Sequence, residues 1–338
     1  TILRDGDDLI IDLGNGQDRL TITEGFTSRA VEEFEFADGT TWTLETIRAL
    51  LLSGTDGDDL LIGFDGRDDV LDGGAGSDGL EGGSGNDSYV FGLGYGADSI
   101  RDTGGSDKVV FGSGISAAMV ELSDQDGELL IRISGSDDTL IIAGGVSSPV
   151  IESFVFEDGT VLGRDDVVRA LVAAQISSGD DVIDARVDIA VTVEPGKGND
   201  TVYLADNGTC VFNAGDGSDV VIGAGTSSRI VFSDLSASDA VIRRVDLDGT
   251  DVVITFPGTG DQVTVAAALS DGPVPLIVFA DGTTWDHADL VRLTIAAQQT
   301  DGADAITGSA LAEEIEGGTG DDDIQGSGGD DTYLYSRG

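Results

Sequence analysis

Four consecutive glycine-rich rows, each carrying an aspartate, constrain the fold of this chain more than any other feature. They follow the pattern Gly-Gly-x-Gly-x-Asp-x-U-x, where U is a large apolar residue. Over residues 54–90 they read GTDGDDLLI, GFDGRDDVLD (with one extra residue), GGAGSDGLE and GGSGNDSYV. Glycine adopts backbone angles that a residue with a Cβ avoids, so the first part of each row predicts a tight turn. The last three residues predict a minimal strand with U pointing inward, so the rows should stack into a flattened coil.

The aspartates of rows two apart are predicted to stack, because successive turns of such a coil fall on opposite edges. In this array Asp59 pairs with Asp78, and Asp69 pairs with Asp87. Two carboxylates about 5 Å apart repel by roughly 3 kcal/mol at an effective dielectric of about 20, so a stack of them requires a cation. Calcium fits best, since it accepts six to eight oxygen ligands in a forgiving geometry and turn carbonyls can complete the shell.

A second array begins near residue 178 and departs from this pattern. Asp181, Asp200 and Asp219 share one edge, whereas the facing rows, ARVDIAVTVE and LADNGTCVFN, carry Ala190 and Cys210 near the ligand position. We therefore predict calcium along one edge only in the middle array, with apolar residues holding the other edge.

A third array begins near residue 301. Asp304 and Asp322 stack on one edge, and Glu313 pairs with Asp331 on the other. The row GSALAEEIE around Glu313 has lost its turn glycines. We expect the calcium site on that second edge to be the weaker one.

The segments between the arrays also repeat. The stretches FEFADGTTW, FVFEDGTVL and IVFADGTTW centre on Asp38, Asp158 and Asp281, which gives a period of about 120 residues and indicates tandem modules. Asp-Gly between alternating apolar strands predicts a hairpin turn. Each stretch is followed by a helical pattern: TLETIRALLL, RDDVVRALVAAQ and DHADLVRLTIAAQ. We expect these helices to cover the apolar ends of the arrays that follow them.

The acidic composition limits the partners of the chain. Seventeen basic residues against 64 acidic ones give a net charge of −47, although 40% of the residues are hydrophobic. Self-repulsion of this size opposes compaction, so we expect folding to require a neutralising cation. Nucleic acid is excluded as a partner on charge. No apolar run reaches the roughly 18 residues of a transmembrane helix.

The rows resemble the RTX (haemolysin-type calcium-binding) repeat family, in which they form a parallel β-roll with calcium between the turns. The segments between arrays resemble the related β-modules of that family, with YVFGLGYGADSI at 89–100 as the exit from the roll. The resemblance implies calcium as the cofactor. It also implies type I secretion and a location outside a Gram-negative bacterium or on its surface. We expect the chain to be a segment of a longer repetitive protein.

The predicted fold class is all-β: parallel calcium β-rolls alternate with small antiparallel β-modules, each closed by a short helix, in an elongated repeat architecture. The expected segments are a β-module at 1–52, roll 1 at 53–92, a β-module with its helix at 93–176, the degenerate roll 2 at 177–225, a β-module with its helix at 226–299, and roll 3 at 300–338.

Two classes of function fit these features. We rank first a non-enzymatic structural or adhesive segment of a large secreted protein, serving in a surface layer, extracellular fibre, biofilm or adhesin. Its partners would be calcium and neighbouring repeats or copies, with a glycan or another cell-surface partner as a further option. The alternative is the calcium-folding tail of a type I-secreted enzyme or toxin whose catalytic domain lies elsewhere.

Overall fold

The computed structural model describes residues 1–12, 14, 18–27, 31–144, 150–223, 225–245 and 249–335. The chain divides into two compact units, Thr1–Leu171 and Val172–Gly338. Most of the regular structure is strand, and the described residues include three α-helices: α1 (Leu44–Leu51), α2 (Arg164–Ala173) and α3 (His287–Ala296). All three lie where the helical patterns were predicted, and the expected all-β class is confirmed.

Two sheets of the first unit are built by strands that alternate between them along the chain. The strands of this unit are β1 (Ile2–Asp5), β2 (Asp8–Asp12), β3 (Arg19–Ile22), β4 (Glu33–Glu35), β5 (Thr41–Thr43), β6 (Leu60–Ile62), β7 (Val70–Asp72), β8 (Gly79–Glu81), β9 (Ser88–Phe91), β10 (Ala97–Arg101), β11 (Lys108–Phe111), β12 (Val120–Gln125), β13 (Glu128–Ile133), β14 (Thr139–Ile142), β15 (Ser153–Val155) and β16 (Val161–Gly163). One sheet has the order β12-β13-β14-β10-β8-β6 and the other β16-β15-β11-β9-β7. This alternation is the flattened coil that the rows predict.

The second unit repeats this arrangement. Its strands are β17 (Val182–Ala185), β18 (Thr192–Val193), β19 (Thr201–Leu204), β20 (Thr209–Phe212), β21 (Ser218–Ile222), β22 (Arg229–Phe232), β23 (Val241–Arg244), β24 (Val252–Phe256), β25 (Asp261–Val265), β26 (Leu276–Val278), β27 (Thr284–Trp285), β28 (Ala305–Thr307), β29 (Glu314–Glu316), β30 (Asp323–Gln325) and β31 (Thr332–Leu334). The sheets are ordered β17-β19-β21-β25-β24-β23 and β18-β20-β22-β26-β27, followed by the parallel pairs β28-β30 and β29-β31.

The predicted inward side chains form the core of the first coil. Leu61, Leu71, Leu80 and Tyr89, the U residues of the four rows, are all buried, whereas Leu60, next to Leu61, is 64% exposed. Burying a side chain of this size contributes roughly 1.5–3 kcal/mol. The alternation of inward and outward side chains along each short strand therefore decides which of its residues enter the core.

The glycines of the turns are required where rows lie closest together. Gly74 and Gly76 have φ of +81° and +148°, a region that L side chains rarely adopt. A Cβ on Gly76 would lie 2.8 Å from the carbonyl carbon of Gly57 in the turn two rows earlier. Close stacking of turns on one edge thus excludes larger residues at this position.

The antiparallel segments continue the coils. Strand β14 pairs in parallel with β10, and β15 pairs in parallel with β11, so both sheets run on past residue 92 into the following module. The hairpins β4–β5, β15–β16 and β26–β27 turn at the predicted Asp-Gly pairs. At each turn a threonine backbone N–H donates to the aspartate and lowers its pKa, as Thr40 does to Asp38 at 2.9 Å. The six-segment division remains a proposal.

Two helices share a hydrophobic core with the roll that follows them. Leu44 and Ile47 of α1 share a core with Leu61 and Leu71, and Leu290 of α3 shares a core with the apolar residues of roll 3.

In the second unit, glutamine side chains pair with the first strands of the rolls. Gln175 Oε1 accepts the N–H of Asp184 at 2.7 Å, and Gln298 Oε1 accepts the N–H of Thr307 at 2.9 Å. These amides satisfy peptide groups that have no earlier row to pair with. Among the described residues, no helix has both the length and the apolar character needed to cross a bilayer.

Candidate metal centres

The predicted aspartate pairs of the first roll are brought together by the structure. Asp78 Oδ1 accepts the backbone N–H of Asp59 at 2.8 Å, and Asp87 Oδ1 accepts that of Asp69 at 2.7 Å. Each carboxylate thus contacts the peptide two rows earlier on the same edge. We call such a series of acids along one edge a ladder and each acid in it a rung. The carboxylate of one rung accepts the backbone N–H of the rung before it.

Both ladders extend beyond the residues predicted from the sequence. Asp98 Oδ1 accepts the N–H of Asp78 at 3.0 Å, and Asp107 Oδ1 accepts that of Asp87 at 2.6 Å. On the second edge, Glu152 Oε2 then accepts the N–H of Asp107 at 2.6 Å. The sequence contains a signal for Asp98 and Asp107, because GYGAD and GGSD are shortened glycine turns that each end with an aspartate. The first of these motifs falls in the segment interpreted as the exit from the roll.

One edge of the middle roll has the same ladder. Asp200 Oδ1 accepts the N–H of Asp181 at 2.8 Å, and Asp219 Oδ1 accepts that of Asp200 at 2.9 Å. Asp261, which the sequence analysis did not identify, follows on this edge and accepts the N–H of Gly217 at 3.1 Å. The three predicted aspartates therefore lie on one edge, one after another in successive rows of that edge.

The facing edge of the middle roll has apolar residues at the ligand positions. By strand register, Val191 and Gly208 occupy the places of Asp69 and Asp87. The expectation for Cys210 needs correction, because this residue lies in strand β20 at the inward U position and is fully buried. Burial raises the pKa of its thiol well above its ordinary value, so it packs as a small apolar side chain.

The third roll has one pair on each edge. Asp322 Oδ1 accepts the N–H of Asp304 at 3.1 Å, and Asp331 Oδ1 accepts that of Glu313 at 3.2 Å. Glu313 is buried and also accepts the backbone N–H of Ser309 at 2.6 Å. Both predicted pairs are thus in contact, and the lower affinity expected on the Glu313 edge stays a prediction.

On three edges the first acid accepts hydrogen bonds from its own turn. Asp59 Oδ2 accepts the N–H of Thr55 at 2.6 Å and its hydroxyl at 2.9 Å. Ser177 does the same for Asp181, and Thr300 for Asp304. These contacts hold in place the acid that begins each of these three ladders.

Five later acids, together with Glu313, which begins its own edge, each retain one buried oxygen with no hydrogen-bond partner. The atoms are Asp78 Oδ2, Asp87 Oδ2, Asp98 Oδ2, Asp107 Oδ2, Asp200 Oδ2 and Glu313 Oε2. A buried, unpaired carboxylate oxygen costs several kcal/mol unless a cation compensates it. Only oxygen donors are present at these edges, which suits calcium rather than a metal that prefers nitrogen or sulfur. The residues therefore fit a calcium ion between successive rungs, where calcium would neutralise the carboxylates.

Burial perturbs these carboxyl groups in the direction expected of unneutralised charges. It raises the pKa of Asp98 and that of Asp219 to about 7, and neighbouring carboxylates add to the rise. The pKa of Asp107 rises to about 6 for the same reasons. Desolvation also raises the pKa of Asp78 and Asp200. Without a cation, burial therefore favours the protonated form of these five acids more than it is favoured in an exposed aspartate.

Two arginines from the preceding modules contact the second edges of rolls 1 and 3. Arg4 Nη1 donates to the carbonyl of Gly63 at 2.7 Å, and Arg244 Nη2 donates to that of Gly308 at 2.7 Å. The two arginines occupy equivalent positions in the strand pairing of their modules. The middle module has Asp124 at this position. An arginine is thus present where the following roll has acids on this edge, and absent where the roll has lost them.

Comparison with known proteins relates these features to a described domain. Residues 8–46, 128–166 and 251–289 each match the haemolysin-type calcium binding protein related domain, and each match runs from the hairpin strands into the following helix. No curated protein sequence matches the chain. Among solved structures, the chain is similar to the extracellular lipase LipA from Serratia marcescens, with 18% identity and a TM-score of 0.24. That similarity covers 69% of this chain and 39% of the lipase chain.

Proposed function

Because three segments of the chain match the haemolysin-type calcium binding protein related domain, we propose that it is a calcium-folded structural or adhesive segment of a large secreted protein of the RTX family. In this proposal the segment has no catalytic role. It acts outside a Gram-negative bacterium or on its surface, in a surface layer, fibre, biofilm matrix or adhesin. Calcium is its cofactor, and neighbouring repeats or copies are its partners.

The buried carboxylate oxygens without partners are the observation that carries this proposal. A chain with a net charge of −47 has to neutralise these groups before its coils are stable. When binding requires the folded state, the free energy of calcium binding becomes free energy of folding. Sites in the extracellular regime, with Kd of roughly 10⁻⁴–10⁻³ M, would leave the chain unfolded in the cytoplasm and folded outside the cell.

The regular modules support a structural role. Three equivalent modules share one strand order and end in a helix, and two of the helices are followed by a glutamine that pairs with the next roll. Repeats joined without long linkers present the same surface at regular intervals, as fibre- and lattice-forming proteins require. The acidic exterior would also let calcium bridge neighbouring copies.

Circular dichroism in excess chelator, in millimolar calcium and in millimolar magnesium tests the folding step. We expect strand content to rise with calcium and not with magnesium, which demands six ligands in strict octahedral geometry. Unchanged strand content in chelator would contradict the proposal.

The structural role needs a separate test. Light scattering and electron microscopy of the calcium-loaded chain should find ordered assemblies as concentration rises. Persistent monomers, together with a catalytic domain in the full reading frame, would favour the tail of a secreted enzyme or toxin. A reading frame with many further units would support the structural role.

A further inference from the structure

One acidic cluster in the first unit differs in composition from the pairs described above. Ligand oxygens of Asp87, Asp102 and Asp107 all lie within 4.8 Å of one another. Asp102 opens the turn DTGGSD at 102–107, at the place where the previous row on that edge, GGSGND, has Gly82. The cluster therefore adds a third carboxylate to a pair of ladder acids, and this carboxylate comes from the first position of the turn.

Two buried oxygens with no partner belong to this cluster. Asp87 Oδ2 and Asp107 Oδ2 accept no hydrogen bond, and their residues are 0% and 1% exposed. The other oxygen of each is already used, since Asp87 Oδ1 accepts the N–H of Asp69 and Asp107 Oδ1 accepts the N–H of Asp87. The remaining oxygens are thus held in place and left without a hydrogen-bond donor.

Asp102 is fixed by two further contacts. Its Oδ1 accepts the N–H of Gly104 at 2.7 Å, and its Oδ2 accepts the hydroxyl of Tyr89. That hydroxyl in turn accepts the N–H of Gly82 at 2.9 Å. A core tyrosine therefore reaches the edge and orients the third carboxylate before any ion arrives, which lowers the ordering cost of binding.

We propose that Asp87, Asp102 and Asp107 form a three-carboxylate calcium site, which fills at lower calcium concentration than the two-carboxylate pairs. This proposal rests on the calcium-dependent folding proposed above. Calcium affinity rises with the number of charged ligands and with the rigidity of the site. The second unit has Gly208 and Ser228 at the positions of Asp87 and Asp107, so its middle roll lacks the site.

Asp102→Asn is the direct test, because it removes one charge while keeping an oxygen acceptor. The matched control is Asp68→Asn, an exposed acid of the same edge whose Oδ1 likewise accepts a backbone N–H, from Asn86 at 2.7 Å. Calcium titration calorimetry should show that the Kd of the tightest site rises about tenfold or more in Asp102→Asn and less than about twofold in Asp68→Asn.

The outcomes separate this inference from the proposed function. If the wild-type chain binds no calcium, the proposed function fails. If calcium binds and the two variants behave alike, only the three-carboxylate site is overturned.

A second readout covers the case in which Asp102→Asn does not fold in millimolar calcium. Terbium is a hard, oxygen-seeking ion whose binding can be followed by calorimetry, which does not depend on a nearby tyrosine. Tyr89→Phe keeps all three carboxylates but loses the hydroxyl contact, and it should move the first phase of terbium binding to higher terbium concentration. Tyr333→Phe is the control, since Tyr333 accepts the N–H of Gly326 at 3.0 Å in roll 3. An unchanged first phase in Tyr89→Phe would overturn the proposal.

Discussion

Replacement of Asp98 by asparagine should act in opposite directions on the metal-free and the calcium-dependent stability of the first unit. Asp98 is 2% exposed, its Oδ1 accepts the N–H of Asp78, and its Oδ2 has no partner. Asparagine keeps an oxygen for the Asp78 N–H. It also removes the buried charge that calcium would neutralise.

The size of the metal-free effect follows from the pKa of Asp98, which burial raises from 3.8 to about 7. A displacement of about three pKa units corresponds to about 4 kcal/mol of unfavourable charge burial above pH 7. Asp98→Asn should therefore stabilise the chelated chain at about pH 8 by up to about 4 kcal/mol. In calcium, loss of one ion should reduce the stabilisation gained from the metal by about 2.7 kcal/mol at a hundredfold excess over Kd.

Urea unfolding followed by circular dichroism, in chelator and in calcium, measures both effects. The control is Glu121→Gln, which removes one negative charge from an exposed position of the same sheet. If the chelated chain is unfolded even without urea, the calcium midpoint and the residual strand content replace the urea midpoint. Equal behaviour of Asp98→Asn and Glu121→Gln in both conditions would refute the assignment of Asp98 as a buried ligand.

Three further results are expected. In chelator, acidification from about pH 8 to about 5.5 should favour the folded state, because the raised pKa of Asp98 and Asp219 makes that state take up protons; residual strand content that falls on acidification would contradict this. Asp200→Ala should lose more bound calcium than Asp59→Ala in calorimetric counting, since Asp200 lies between two rungs whereas Asp59 begins its ladder; equal losses would contradict shared ligands. Arg244→Met should destabilise roll 3 by about 1.5 kcal/mol, the usual contribution of a charged hydrogen bond, while Arg243→Met on the same strand should not.

The sequence by itself determined the rows, their edges and most of the ladder acids. Glycine and aspartate spacing within nine residues decides where the chain turns, and the period of two along each strand decides that Leu71 points inward. Because each row pairs with the row two before it, the contact between Asp59 and Asp78 can be predicted by counting rows along the sequence. The modules and their helices were visible for the same reason, as local patterns repeated three times.

Only the tertiary structure decided where the ladders end and which acids join them from a distance. Glu152 reaches Asp107 across 45 residues, and Asp261 reaches Gly215 across 46, because strands of the antiparallel modules pair with the last rows of the coils. No local spacing encodes such a pairing; it depends on how a long connection folds back onto the sheet. The carboxylate oxygens without a hydrogen-bond partner likewise arise only when packing removes water from one side of each carboxylate. The sequence could therefore indicate calcium, but not which oxygens would bind it.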